Sequence, residues 1–301
     1  MGRKEETMSE KDKKIMLFKE LKIEIRRTWY IISFVLCNLI VFGCVAYYFN
    51  MIFRSESTGY SADYKAVLGM YNTVLLIEYI IILCVIPFTV GVTLAREYEA
   101  KTLDLLLISK FSTKDIIHTK LKMICIVYLM LIVSTLPYLC VVFSVGVINI
   151  FNIIVYVLVV MSSVICYSCI GMYISAKVKK VTLSALLLAV VELASTLGSY
   201  VLFGAIYNFA DGINKSILDV YSYTKLDHMG NLLVTNPVIN IFKIQSYIEG
   251  NASIYRTLMN NYGVWGIIDA LWIPISILFQ LIVAWIMYNK TKRLMLKKHH
   301  K

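Results

Sequence analysis

The sequence predicts an all-α, polytopic membrane protein with six transmembrane helices, an amino-terminal interfacial helix and a helical cytoplasmic segment between the second and third spans. Three observations predict it. Apolar stretches at residues 29–53, 70–95, 121–146, 152–175, 181–206 and 264–289 are each long enough to cross a ~30 Å hydrocarbon core, which takes about 20 helical residues at ~1.5 Å apiece. Hydrophobic residues make up 59% of the 301, charged residues only 16%, and the mean hydropathy is +0.71. A soluble domain so composed would be insoluble, and its apolar runs would be shorter and amphipathic. Finally, 24 of the 30 Lys and Arg fall before the first span, within 96–122, within 177–180 or from 290 onward.

Cytoplasmic flanks of membrane helices accumulate Lys and Arg, so both termini are expected in the cytoplasm and the chain in the cell membrane. The opposite side holds only Arg54, Lys65, Lys215, Lys225, Lys243 and Arg256, although it includes the longest loop, 207–262. The net charge of +11 is explained by this topology and by attraction to anionic lipid head groups, which leaves no role for nucleic acid.

Residues 1–28 are expected to form a cytoplasmic or interfacial segment. The first span is too long for the apolar region of a signal peptide and reads as a retained anchor. Met1-Gly2 lacks the Ser or Thr that myristoylation wants at the sixth position, where Glu6 stands. Phe18, Leu21 and Ile25 share one helical face against Lys19, Lys22, Glu24 and Arg26, which suits a helix lying on the inner leaflet; a plain extension of the first span is the alternative.

Within residues 29–289, all seven cysteines, Cys37, Cys44, Cys84, Cys125, Cys140, Cys166 and Cys169, lie in predicted spans and are expected to act as small apolar residues. Cys166 and Cys169 have no second pair or His nearby and make a poor metal site. With Ser162 they form a small-residue stripe that allows close approach of a neighbouring helix. Pro87, Pro137 and Pro274 fall within spans and are expected to kink them. No soluble-repeat period and no inverted repeat is visible. Residues 290–301 form a basic cytoplasmic tail.

The motifs of catalysis are missing. There is no phosphate loop, no H-E-x-x-H and no G-x-S-x-G. The four histidines, His118, His228, His299 and His300, all lie outside the predicted spans. The chain is therefore expected to be no enzyme and to hold no metal or cofactor.

The segment 96–120 concentrates charge and leucine. Leu103, Leu106 and Leu107 recur at helical spacing with Lys101 and Asp104 off that face, and Ser112 with Asp115 makes a capping box for the helix leading into the third span. An apolar stripe on a cytoplasmic loop needs somewhere to be buried, so the segment reads as a docking element; a solvated linker stiffened by ion pairs is the bland alternative.

Here the chain resembles the six-span membrane subunits of bacterial ABC exporters of the ABC-2 permease class. Members carry an acidic pair, a Thr-Leu-acidic step, a leucine cluster and a Ser-led helix ending near a Lys. The matching positions are Glu97, Glu99, Thr102, Leu103, Asp104, Leu106, Leu107, Ser112 and Lys120, and Asn236-Pro237 is similar to a step before the final span. Lys101 stands where Gly is common and Lys110 where Pro is common. The resemblance implies an export permease: two such subunits, identical or merely similar, paired with two separate ATPase subunits. It implies that residues 96–120 act as a coupling helix whose movement tilts the second and third spans. It further implies that the second and fifth spans line the route and that the outer loop folds partly back as short helices.

The residues themselves place two carboxylates on those spans, Glu78 and Glu192. A carboxylate near the bilayer centre costs roughly 2.5 to 3.5 kcal/mol on insertion scales, so it faces protein or a wet cavity. Glu192 shares a helical face with Ser184, Ser195 and Ser199, a polar stripe expected to face the transport path or a subunit interface. A Glu192 hydrogen-bonded between helices purely for assembly is the rival. Glu78 is expected nearer the outer face.

The outer loop suits either substrate handling or a lid. Its two glycosylation-like triplets, at Asn214 and Asn251, carry little weight because Asn289 on the cytoplasmic side fits the same pattern. Competing classes are a secondary transporter, which calls for internal symmetry and more midplane charge, a membrane enzyme, and an immunity or scaffold protein built on permease architecture. Cargo is not readable from topology.

Overall fold

A computed structural model describes residues 10–56, 64–102, 112–144, 150–206, 208, 233–248 and 271–299. Among the described residues 94% are helical and none is in a strand. In chain order the helices are α1 (Glu10–Ile25), α2 (Thr28–Glu56), α3 (Tyr64–Thr89), α4 (Thr93–Glu99), α5 (Thr113–Ser144), α6 (Ile150–Val178), α7 (Val181–Leu193), α8 (Pro237–Ile248) and α9 (Trp272–His299). A π-helical turn, Ala194–Gly198, carries α7 on to residue 206. Six stretches are long and apolar enough to cross a membrane: Thr28–Met51, Ala66–Glu99, Thr113–Leu139, Ile150–Val178, Val181–Ile206 and Trp272–Leu296. All six expected spans are present.

The bundle is built around α6, which packs on α3, α4, α5, α7, α8 and α9. Its small residues make this central place possible. Ser162 and Ser163 meet α9 through Gln280, and Cys169 shares an apolar cluster with Ala284 of α9, so the predicted small-residue stripe has α9 as its neighbour. Tyr71, Leu75, Ile82 and Ile86 of α3, Val127 and Leu131 of α5 and Val159 and Val164 of α6 form the main core. α7 is the most peripheral span, and its outer row of Leu186, Val190, Leu193 and Leu197 is exposed, as a lipid-facing surface requires. The six described cysteine side chains are free.

Several expectations are corrected. α5 begins at Thr113, eight residues before the apolar stretch, because Ser112 caps it. The Asp115 amide donates to Ser112 Oγ (3.2 Å) and the Ser112 hydroxyl donates to Asp115 Oδ2 (2.8 Å), the capping box expected from the sequence. α9 continues through the basic tail to His299. In α1 the buried face is Met16, Leu17, Leu21 and Ile25, whereas Phe18 is 72% exposed: the helix is rotated so that the residue before Phe18 meets the bundle. The three prolines act differently. Pro274 sits in the first turn of α9, where a missing amide costs nothing, and α5 runs unbroken through Pro137. α3 runs through Pro87 as well, and turns at residues 90–92, just after it, separate α3 from α4.

The two ends of the bundle are chemically distinct. Lys13 of α1 pairs with Asp115 of α5 (2.6 Å), and Met295 of α9 packs with Leu94 of α4 and Ile117 of α5. Both terminal helices, α4 and the start of α5 therefore share one end, the basic one.

Candidate functional site

At the basic end, α4 presents two carboxylates to other helices of the chain, Glu97 half-buried and Glu99 exposed. Glu97 Oε1 accepts from Lys120 Nζ at 2.6 Å, and Glu20 of α1 lies 3.5 Å from the same ammonium. Lys120 is 2% exposed. Beside it Glu24 pairs with Arg27 (2.6 Å); burial pushes the Glu24 carboxyl above its ordinary value, with Arg27 and Lys120 opposing. Glu20, Glu24 and Glu97 thus gather around Lys120 and Arg27, tying α1, α4 and α5 together.

Glu99 reaches in another direction. Its Oε1 accepts from the Val181 amide at 2.8 Å, capping the first turn of α7 with a negative charge, the sign a helix amino terminus favours. The same junction is gripped a second time, because Lys179 Nζ lies over the Tyr98 ring, 5.6 Å from its centroid. Lys179 takes a left-handed φ of 61°, which turns α6 into α7 within two residues.

Lys101 also adopts a left-handed φ, 54°, after the last turn of α4, with its amide bonded to the Tyr98 carbonyl. This is the position where the resemblance leads one to expect Gly, and the backbone has the conformation that Gly favours. A side chain there costs roughly 1–2 kcal/mol. Lys101→Gly is therefore expected to stabilise the protein by about 1 kcal/mol, measured by denaturation in mixed micelles. Lys179→Gly should yield less, since it forfeits the contact with Tyr98. A Lys101→Gly variant less stable than the parent would contradict the assignment. Thr102 is exposed, its hydroxyl 3.4 Å from the Glu97 carbonyl. Leu103, Asp104, Leu106 and Leu107 lie outside the described residues.

Inside the membrane the polar stripe of the fifth span faces the chain's own interior. Ser184 is buried and donates to the Lys180 carbonyl (2.7 Å). Ser195 donates to the Glu192 carbonyl (2.9 Å) and meets the Tyr167 hydroxyl of α6 at 2.5 Å. Ser199 donates to the Ser195 carbonyl (2.7 Å) and accepts from Asn236 Nδ2 (2.8 Å). Asn236 Nδ2 also reaches the Thr196 carbonyl (2.8 Å) within the π-helical turn, where regular bonding is displaced. Asn236 Oδ1 meanwhile caps α8 by accepting from the Val238 amide (2.9 Å), with Pro237 at the first helical position. One asparagine thus fastens α8 to the fifth span. The Glu192 carboxylate is 6% exposed, and its Oε1 has no hydrogen-bond partner among the described residues.

Glu78 is wholly buried in α3 and stands in the half of the bundle away from the basic end, as expected, since its partners Thr135 and Tyr156 lie near the ends of their spans at Leu139 and Ile150. Its Oε1 accepts from Thr135 of α5 (2.8 Å) and its Oε2 from Tyr156 of α6 (3.0 Å), so it links three helices. Nearby, Tyr79 donates to Ser163 (2.9 Å), and Gln280 Oε1 accepts from Ser162 (2.6 Å) and Ser163 (3.1 Å). At the end opposite the basic one, α8 packs on α3, α6 and α9. Asn240 accepts from Trp272 Nε1 (2.9 Å) and donates to Ser276 (2.6 Å), while Gln245 donates to the Asn72 carbonyl (2.9 Å).

Sequence reasoning passed over Glu20, Tyr167 and Gln280, and it placed Lys120 in a motif without anticipating its burial. Gln280 was findable: an amide in an apolar span has to find a partner. Among the described residues no three His, Cys, Asp or Glu side chains group as metal ligands. No protein-family model and no curated protein matches the sequence. The fold and its polar interior define the class: an all-α, multi-pass membrane protein with a membrane-buried hydrogen-bond network.

Proposed function

We propose that the chain is the membrane-spanning permease subunit of an ATP-binding-cassette export system in the cell membrane, with both termini cytoplasmic. It forms the translocation path with a second permease subunit, identical or similar, and borrows energy from a separate ATPase. The basic end is then the cytoplasmic one, by the positive-inside count.

The observation that carries this reading is the pair of ties at the start of the 97–107 segment. Through Glu97 it is bound to the third span and the amino-terminal helix, through Glu99 to the first turn of the fifth, and through α4 it continues from the second. A partner gripping the leucine-rich part would therefore pull on three spans at once, which is what a transmission element requires. This enlarges the expectation that only the second and third spans respond. Glu97 and Glu99 serve as internal anchors, so the partner's contacts fall to Thr102, Leu103, Asp104, Leu106 and Leu107.

The test is affinity purification of the full chain from native membranes, followed by identification of proteins carrying a phosphate loop and assay of ATP hydrolysis. An ATPase is expected to co-purify, and Leu106→Glu together with Leu107→Glu should reduce its recovery about tenfold or more, the loss of roughly 1.4 kcal/mol or above. Transport that continues without any ATPase would move the assignment to a secondary transporter.

A further inference from the structure

Glu192 is eleven residues past Val181, about 17 Å along the fifth span and so near the middle of a ~30 Å core. A carboxylate at that depth is costly, and an unmet buried acceptor adds about 1–3 kcal/mol. The comparison with Glu78 is instructive. There the chain supplies a hydroxyl to each oxygen, whereas Glu192 Oε1 has no partner among the described residues. The groups around it are engaged elsewhere. Tyr79, Tyr128 and Tyr167, from α3, α5 and α6, lie within electrostatic reach of Glu192, yet their hydroxyls bond Ser163, Thr89 and Ser195. No Lys or Arg occurs within 66–95, 123–144, 150–176, 181–206 or 272–289, so the chain offers no counter-charge in these spans.

What the place lacks is one positive charge carrying N–H donors. We infer that Glu192 anchors an intramembrane binding site for an organic ammonium ion, a protonated amine on an apolar body. The ammonium donates to Oε1 in a charge-assisted hydrogen bond. A hard divalent cation would need several more oxygen ligands than one carboxylate and three committed phenols provide. Glu192 itself is buried on the inward face of the most peripheral span, so access is lateral, between α7 and α3, where Cys84 is exposed and within its electrostatic reach. An amphiphilic amine dissolved in the bilayer enters between these two helices to reach it. As the cargo's site this rests on the permease reading above; as a binding site it does not.

The experiment is calorimetric titration of the full chain in phospholipid nanodiscs with octylammonium, octanol and octanoate, after subtraction of empty nanodiscs. Octylammonium is expected to bind saturably, to weaken about tenfold or more in Glu192→Gln and to persist in Glu192→Asp, while octanol and octanoate show no saturation. Unchanged binding in Glu192→Gln, equal saturation by octanol, or no binding to the parent protein would each overturn the site. A second measurement needs no variant: octylammonium, and not octanol, should slow maleimide labelling of Cys84, read by peptide mass spectrometry, and indifference of Cys84 counts against the proposal. Amine binding by a protein that recruits no ATPase would remove the exporter reading and leave the site standing. A recruited ATPase with no amine binding would do the reverse.

Discussion

Replacing Lys120 by Met is expected to destabilise the protein by about 3–5 kcal/mol, the range for removing one partner of a buried ion pair. The side chain is 2% exposed, and three carboxylates share it and Arg27. Met matches the stem of Lys and keeps its packing, so the loss isolates the charge. Without the ammonium, Glu97 retains no cation within bonding distance among the described residues, and its Oε2 is already unpartnered there. The second variant decides the cause. Lys120→Met combined with Glu97→Gln removes both charges, and it should recover most of the loss, since a neutral buried pair avoids the desolvation of an isolated carboxylate. Denaturation in mixed micelles, run as a double-mutant cycle, reads this. Additive losses would mean that the two groups do not interact and that the ion pair does not hold α4 to α5.

The same cluster explains how much of the basic end could be read from sequence. Local devices were legible: Ser112 and Asp115 are three residues apart, and their capping box has the geometry that their spacing implies. Asn236-Pro237 drew notice only as similar to a step of the exporter family, although an asparagine cap followed by proline is a short-range helix-start signal of the same kind. Partners far apart in the chain were not. Glu99 meets Val181 across 82 positions and Glu78 meets Tyr156 across 78, and no periodicity within one helix specifies which polar group on another will face it. The inward polar face of the fifth span was visible as Ser184, Glu192, Ser195 and Ser199 at helical spacing. Its partners, Tyr167 and Asn236, follow only from assembly of the bundle.

Rotation is the other thing a pattern underdetermines. In α1 an apolar face through Phe18, Leu21 and Ile25 and one through Leu17, Leu21 and Ile25 fit the helical period about equally well. Packing against α5 selects the second. Phe18 is left exposed beside Ile15, and Trp29 stacks on Phe88 at 5.2 Å at the same end. These aromatic groups suit the interfacial level where such rings collect.

Gly171→Leu is expected to cost about 3 kcal/mol or more, and the reason lies in how three spans cross at the end of α3. A Cβ on Gly171 would stand 2.8 Å from Leu188 Cδ2 and 3.3 Å from the Gly91 Cα, and one on Gly91 would stand 2.6 Å from the Pro87 carbonyl oxygen. Overpacking of this kind typically costs 1–3 kcal/mol and rises with each added carbon. Replacing a helical Gly by Ala returns only about 0.5–1 kcal/mol. The two glycines should differ. The nearest atom to Gly171 is the end of a leucine that can turn away, whereas Gly91 faces backbone, so Gly91→Ala should be worse tolerated than Gly171→Ala. Gly43 is the control: nothing lies within 4 Å of its added Cβ, and Gly43→Ala should be neutral or stabilising. The crossing also holds Ser175 against the Gly91 carbonyl, just where the second span breaks into α4. A wedge there would shift Glu97 and Glu99 together, so if the permease reading is right, Gly91→Ala should lower ATPase-coupled transport more than its loss of stability accounts for. Wild-type stability of Gly171→Leu in mixed-micelle denaturation would mean that the three spans do not approach this closely.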